Sequence, residues 1–412
     1  MHVKQEGMKR HISMDAMRGF AVMGILVMNI LAFALPENAI VNPKAWGTAN
    51  AADLWAWALS TIFVDGKMRG LFSLLFGVSM MLIIERAEAK GENAKKVHFA
   101  RMFWLLIFGL LHYFFIWWGD ILFLYAIGGC VAWMFRHQSV KSLFKIGAGI
   151  FVTSNMLLAI IMGSIFFVKI AAEAPRASKA EVSEYAQLQR EFDEEYNIEE
   201  VTLYQGSYSE IVQHKMTDET FGPLNSLLYL FTETLPLMLF GMALMKSGFF
   251  TGGWSIEKLR KYVYWGIGAG GILSAILAMI IWQSGFEVIL ALNAYVIWFA
   301  PMKMMMTFGY AACLMLFIHQ YAHGAFMERV AAAGRMTFSN YIGTSILMTS
   351  IFYGYGGALF GEVPRAMLYF FVLGGWAVML LWSKPWLLSF HYGPLEWLWR
   401  SLSRGAFQPM KK

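Results

Sequence analysis

Ten apolar runs, each close to the length a helix needs to cross a bilayer, dominate this 412-residue chain. A helix rises about 1.5 Å per residue, so about 20 apolar residues cover the hydrocarbon core. The runs fall at roughly 15–35, 68–84, 101–118, 121–135, 146–169, 223–246, 263–283, 302–320, 337–353 and 365–383. A chain that is 58% hydrophobic and 15% charged has too few polar side chains to cover that much apolar surface in water. The expected fold is all-α, a polytopic transmembrane helical bundle of about ten spans. Residues 53–65 and 285–300 are apolar but broken by turn or polar residues, and read as interfacial or re-entrant pieces.

Basic residues gather between alternate runs. Lys4, Lys9 and Arg10 precede the first, and Arg86, Lys90, Lys95, Lys96 and Arg101 separate the second from the third. Arg136, Lys141 and Lys145 follow the fourth, and Lys246, Lys258, Arg260 and Lys261 follow the sixth. Lys384, Arg400, Arg404, Lys411 and Lys412 close the chain. Lys and Arg are retained on the cytoplasmic side, so both termini are expected there. The opposite side receives residues 170–222, where Glu191, Asp193, Glu194, Glu195, Glu199 and Glu200 outweigh the bases. This loop divides an N-terminal half (1–169) from a C-terminal half (223–412). Its residues 177–196 read as an exposed, charge-laced helix, either a solvated cap or a lid over an external opening. Cys130 and Cys313 both sit in apolar runs, which argues against a disulfide framework or a metal cluster. The net charge of +6 is modest and gives no reason to expect nucleic acid; membrane lipids are the expected surroundings.

Polar residues inside such runs are costly unless they face protein, ligand or water, so they mark candidate sites. In the first run, Asp15, Arg18 and Asn29 share one helical stripe. Asp15 and Arg18 are close enough to pair, and Arg18, followed by Gly19, suits an anionic ligand or a cytosolic phosphate. Asn29 lies about 16 Å deeper along the helix, as an interhelical clasp or as part of an active site. In the third run, Arg101 and His112 are three turns apart on one stripe, which brings His112 to a depth like that of Asn29. An imidazole there suits a general base. Asp120, after Trp117, Trp118 and Gly119, either orients His112, holds a substrate hydroxyl or caps the next helix. A single histidine without spaced partners gives no support for a metal.

Further along, Arg69 reads as a snorkelling interfacial residue, and Ser73 with Gly77 as a tight packing face. Arg335 and Asn340 open the ninth run from the cytoplasmic side, Arg335 as interfacial charge or as a contact to a cytosolic ligand. The segment from Gly393-Pro394 through Glu396, Trp397, Trp399 and Arg400 reads as an amphipathic helix on the inner surface.

These motifs resemble the YeiB-like family of bacterial inner-membrane proteins. They are Met14-Asp15 and Arg18-Gly19 running to Asn29, Arg101 through His112 to Trp118-Gly119-Asp120, and Gly241 through Lys246 to Gly248. Gly334-Arg335 through Asn340-Tyr341 and Gly393-Pro394 through Trp399-Arg400 complete the set, so the likeness spans nearly the whole chain. That family, whose C-terminal half is catalogued as a domain of unknown function, is in turn similar to transmembrane acyltransferases that acetylate polysaccharides and heparan-sulfate glucosamine. Lys9 or Arg10, Met14-Asp15 and Arg18-Gly19 fit the pattern at their first span, with Met in place of Leu. Asn29 matches an Asn of the glucosamine branch. The chain departs from that branch in having no histidine at residues 36–50, so His112 would supply the base.

The resemblance implies an acyl group passing from a cytosolic acyl-CoA-type co-substrate to an externally reached hydroxyl or amine, on a small molecule, glycan or lipid acceptor. No tightly bound cofactor is expected. Asp15, Arg18, Arg101, Arg335, Asn340 and Trp118 are the expected binding residues, and His112, Asp120 and Asn29 the catalytic ones. The rival expectation is a transporter or binding protein for an amphipathic or lipid-like metabolite, with the same buried groups as a midplane site.

Overall fold

The computed structural model describes residues 2–190, 194–321 and 324–412, with side chains given from Met14 onward except at 188 and 191–196. The described residues form helices throughout, and none of them belongs to a named strand. In order the helices are α1 (His2–Ala34), α2 (Glu37–Val41), α3 (Ala51–Phe63), α4 (Lys67–Ala89), α5 (Ala94–Phe115), α6 (Leu122–Ala132) and α7 (Val140–Ala172). Then come α8 (Lys179–Arg190), α9 (Glu194–Tyr204), α10 (Tyr208–Thr217), α11 (Gly222–Asn225), α12 (Leu235–Lys246), α13 (Ile256–Val263) and α14 (Gly270–Gln283). The chain finishes with α15 (Val288–Asn293), α16 (Ala300–Tyr321), α17 (Ala325–Arg335), α18 (Thr337–Phe352), α19 (Leu368–Ser389) and α20 (Pro394–Arg404).

All ten apolar runs are helical. Eight helices among the described residues are long and apolar enough to cross a membrane. The expected fourth and ninth spans are shorter, Leu122–Phe135 and the 16 residues of α18. The bundle is polytopic and all-α, with one end rich in arginine and lysine (the basic end) and the other capped by α9 and α10 (the loop end). The expected helix at 177–196 is realised as α8 over Lys179–Arg190; part of the remainder lies outside the described residues.

Helix starts follow local chemistry. Asn50 caps α3 in a capping box with Asp53, Asn93 accepts from the Lys96 N–H at 3.0 Å, and Ser207 pairs reciprocally with Glu210. A π-helical turn at Leu230–Thr234 feeds α12, and α7 satisfies carbonyls there. Asn155 Nδ2 donates to Thr232 O at 2.9 Å and Ser154 Oγ to Phe231 O at 2.9 Å.

Glycines set the tightest crossings. A Cβ on Gly77 would lie 2.1 Å from Met238 O, and one on Gly241 would lie 2.0 Å from Leu74 O, so α4 and α12 touch backbone to backbone. The same holds for α1 and α17, where a Cβ on Gly19 would meet Val330 O at 2.0 Å and one on Gly334 would meet Asp15 O at 1.7 Å. Gly19 therefore serves helix packing, not the approach of a ligand.

One further expectation changes. Arg69 does not snorkel: it is mostly buried in a two-pronged ion pair with Glu233, at 2.9 and 2.7 Å. The C-terminal helix α20 is docked on the bundle. Trp399 Nε1 donates to Arg101 O at 2.9 Å, and the Glu396 carboxylate accepts from the N–H groups of Phe338 (2.6 Å) and Ser339 (3.0 Å). Glu396 thus caps the start of α18 from another helix.

Candidate functional site

His112 ends the buried stripe of α5, one turn before the chain leaves the helix. Its Nδ1 lies 2.8 Å from Asp120 Oδ1, and the two side chains are only 1% and 2% exposed. Asp120 does two jobs at once: Oδ1 faces His112 while Oδ2 accepts from the Phe123 N–H at 2.8 Å, at the start of α6. Gly109 permits this, because a Cβ there would lie 2.4 Å from Phe123 N and 2.9 Å from Asp120 Oδ2. A neutral imidazole donating from Nδ1 to a carboxylate presents its other nitrogen as a base. Nε2 is buried and has no hydrogen-bond partner among the described residues.

Aromatic rings wall this pair. The Tyr341 ring centroid is 5.1 Å from His112 and that of Trp117 is 6.1 Å away. Trp117 stacks on Phe33 of α1 at 4.0 Å and donates to Ala32 O at 3.3 Å. Trp118 packs beside Trp117, with its indole N–H buried and unpartnered.

Asn29 and Tyr341 line the same cavity, of about 10 Å³, with Val22, Leu26, Phe33 and Ser345, room for about one water. Spans one and three therefore do not form the open shared chamber that their matching polar stripes suggest. The main neighbours of α1 are α4, α17, α18 and α19, whereas α5 packs on α6, α4 and α20. Asn29 and His112 are joined through Tyr341 and the Phe33–Trp117 stack. Tyr341 was not legible as a site residue, since a tyrosine in an apolar run gives no distinct signal.

At the basic end, Arg18 donates to Asp15 Oδ1 at 3.1 Å and to Ser79 Oγ at 2.9 Å. Arg101 lies 3.9 Å above the Trp399 ring, and its Nε is buried without a partner. The charges felt by Arg101 are those of Arg400, Arg404 and Arg18, and Arg18 in turn feels Arg86. Burial pulls the Arg400 guanidinium below its ordinary range, and repulsion from Arg404 and Arg86 adds to this. Five guanidiniums thus lie within electrostatic range of a neighbour in the set, with Asp15 engaged by Arg18 and Glu396 by the cap of α18. The contributions of Arg86, Arg400 and Arg404 escape a sequence reading because they require α20 to fold back on α5.

Two expected binding residues stand apart. Arg335 is exposed and donates to His391 O at 3.3 Å. Asn340 is consumed as a clasp: Nδ2 donates to Ala333 O (3.0 Å) and Ser383 Oγ (3.1 Å), and Oδ1 accepts from Trp382 Nε1 (2.8 Å).

Fold and site define a polytopic membrane protein with a buried His–Asp pair and a guanidinium cluster at one end. Residues 244–406 match the family described as "Protein of unknown function (DUF418)". The chain is 30% identical to the uncharacterized protein YeiB of Escherichia coli over 98% of each chain. It is also 30% identical to the uncharacterized protein YxaH of Bacillus subtilis, over 97% of this chain and 95% of that one. It belongs to the YeiB-like family. An uncharacterized 39.9 kDa protein from Bacillus acidopullulyticus is 24% identical over 95% of this chain. No solved structure matches the chain.

Proposed function

We propose that this protein is an integral-membrane acyltransferase of the bacterial inner membrane, with its basic end in the cytoplasm. The observation that carries the reading is the buried His112–Asp120 pair with its second imidazole nitrogen unpartnered. Such a nitrogen takes a proton from an acceptor hydroxyl or amine, and Asp120 holds the ring in the tautomer that leaves Nε2 basic. The acceptor oxygen or nitrogen attacks the thioester carbonyl, and the tetrahedral oxyanion collapses to expel a thiolate. The thiolate recovers the proton from His112. Asn29, in one cavity lining with Tyr341, is assigned to donate its amide N–H to the oxyanion.

The donor is an acyl-CoA-type thioester whose phosphates meet Arg18, Arg86, Arg101, Arg400 and Arg404, because guanidinium–phosphate contacts are charge-assisted and often two-pronged. Arg101 and His112 are eleven residues apart on α5, about 16 Å, so an extended arm must link phosphate to thioester. The cavity beside Tyr341 takes one water, so the conformation described is closed and donor binding must displace the Tyr341 and Phe33–Trp117 rings.

The test is acetyl-CoA hydrolysis and binding by the purified protein in detergent. His112→Ala should abolish hydrolysis while leaving acetyl-CoA binding close to that of the parent, at a melting temperature lowered by the loss of the Asp120 contact. Arg400→Ala with Arg404→Ala should weaken binding instead. Absence of acyl-CoA binding, together with solute uptake driven by a proton gradient in vesicles, would replace the enzyme reading with a transporter.

A further inference from the structure

A second, independent polar site lies at the loop end, around a fully buried arginine. Arg365 precedes α19, where its backbone N–H donates to Gly47 O at 3.0 Å and its Nη2 donates to Ala39 O. Its Nε and Nη1 have no acceptor among the described residues. The nearby carboxylate is already engaged. Asp53 Oδ2 accepts from the N–H groups of Ala49 (2.9 Å) and Asn50 (3.1 Å), and Oδ1 accepts from that of Ala366 (2.8 Å).

Asp53, Trp57, Ser60 and Thr61 follow the helical period along one face of α3. That face meets the 365–369 turn, where Asp53 accepts from the Ala366 N–H. Trp57, one turn beyond Asp53 on that face, is 2% exposed; its ring stands edge-on to Phe286 at 4.9 Å, and its indole N–H also lacks an acceptor among the described residues. The Thr61 carbonyl holds the ammonium of Lys67, itself fully buried and set over the Phe299 ring at 5.7 Å; Phe299 packs in the same cluster as Trp57.

The charges do not balance. Asp53 offsets Arg365, Glu233 pairs with Arg69, and Lys303 and Lys67 share Asp65, which leaves one positive charge in excess. Burying an unmatched cation and several unpaired donors is costly, and the missing component is an acceptor that carries negative charge.

We infer that Arg365 and Trp57 hold a small monovalent anion, a halide or a carboxylate, between α3 and the 365–369 turn, with Lys67 supplying the balancing charge. The site is separate from the His112–Asp120 pair and does not depend on the acyl-transfer reading.

The experiment is thermal unfolding of the full-length protein in detergent, with methanesulfonate as the background anion at fixed ionic strength. Chloride, bromide or acetate replaces it stepwise. The melting temperature should rise and saturate, with chloride and bromide if the ligand is a halide and with acetate if it is a carboxylate. Trp57→Phe keeps the ring and removes one donor, so half-saturation should move up about tenfold, the weight of a hydrogen bond to a charged partner. Arg365→Met should remove the response altogether. No anion-specific rise in the parent protein, or an unchanged half-saturation in Trp57→Phe, would overturn the inference even if Arg365→Met fails to fold.

Discussion

Gly109→Ala tests the His112–Asp120 geometry without substituting either residue. The added methyl carbon would start 2.4 Å from Phe123 N, and an ordinary contact begins near 3.4 Å, so the start of α6 must retreat by about 1 Å. Asp120 sits on that start. The same retreat stretches its 2.8 Å contact with His112 Nδ1 to about 3.8 Å, beyond hydrogen-bond reach. The lost bond to a carboxylate costs about 1.5–3 kcal/mol and overpacking about 1–3 kcal/mol more. The assay combines detergent unfolding with nitrogen NMR of the His112 ring. The parent should show Nδ1 protonated, and the variant a mixture of tautomers with acetyl-CoA hydrolysis reduced at least about tenfold. A variant that melts with the parent and keeps its imidazole spectrum would refute the claim that Gly109 sets this distance.

Three other outcomes follow from the same geometry. Arg69→Met strands Glu233 and should destabilise by about 3–5 kcal/mol, whereas the double change with Glu233→Leu should recover most of that loss; detergent melts of all three variants decide it. Burial pushes the Glu200 carboxyl up to about 7 from 4.5, although the Glu37 N–H favours its ionised form. The folded state therefore binds this proton more tightly than the unfolded chain, so its contribution is complete below about pH 4.5 and is lost as pH rises to about 7. Intrinsic-rate-corrected hydrogen exchange in α9 should show more protection at pH 5 than at pH 8, and Glu200→Gln should flatten the difference. Glu396→Ala removes the cap on α18 and should cost about 0.5–2 kcal/mol, read by denaturant unfolding, with amide exchange rising first at Phe338 and Ser339.

Particular residues show how far a sequence carries. The pairing of Asp15 with Arg18 follows from helical period alone, because residues three or four apart must share a face. Asp120 was legible as either an orienting group or a cap, and it is both, since a carboxylate has two oxygens and α6 begins where His112 ends. Arg69 misled because its position at a helix start looks interfacial, while its partner Glu233 is 164 residues away. Asn340 read as a ligand contact, yet three protein partners take up its amide. The five-arginine cluster was invisible because its members come from α1, α4, α5 and α20.

Hydropathy and charge by themselves determined the class of fold, since a bilayer leaves the backbone few choices but the helix and excludes charge from its core. They also named which polar residues lie deep. Which of those residues meet was decided only by packing. Backbone contacts at Gly19, Gly77, Gly241 and Gly334 fix how the helices cross, and the packing brings Tyr341 against the His112 ring and into one cavity lining with Asn29. A helical period specifies a face, but the neighbour of that face depends on close contacts between segments hundreds of residues apart.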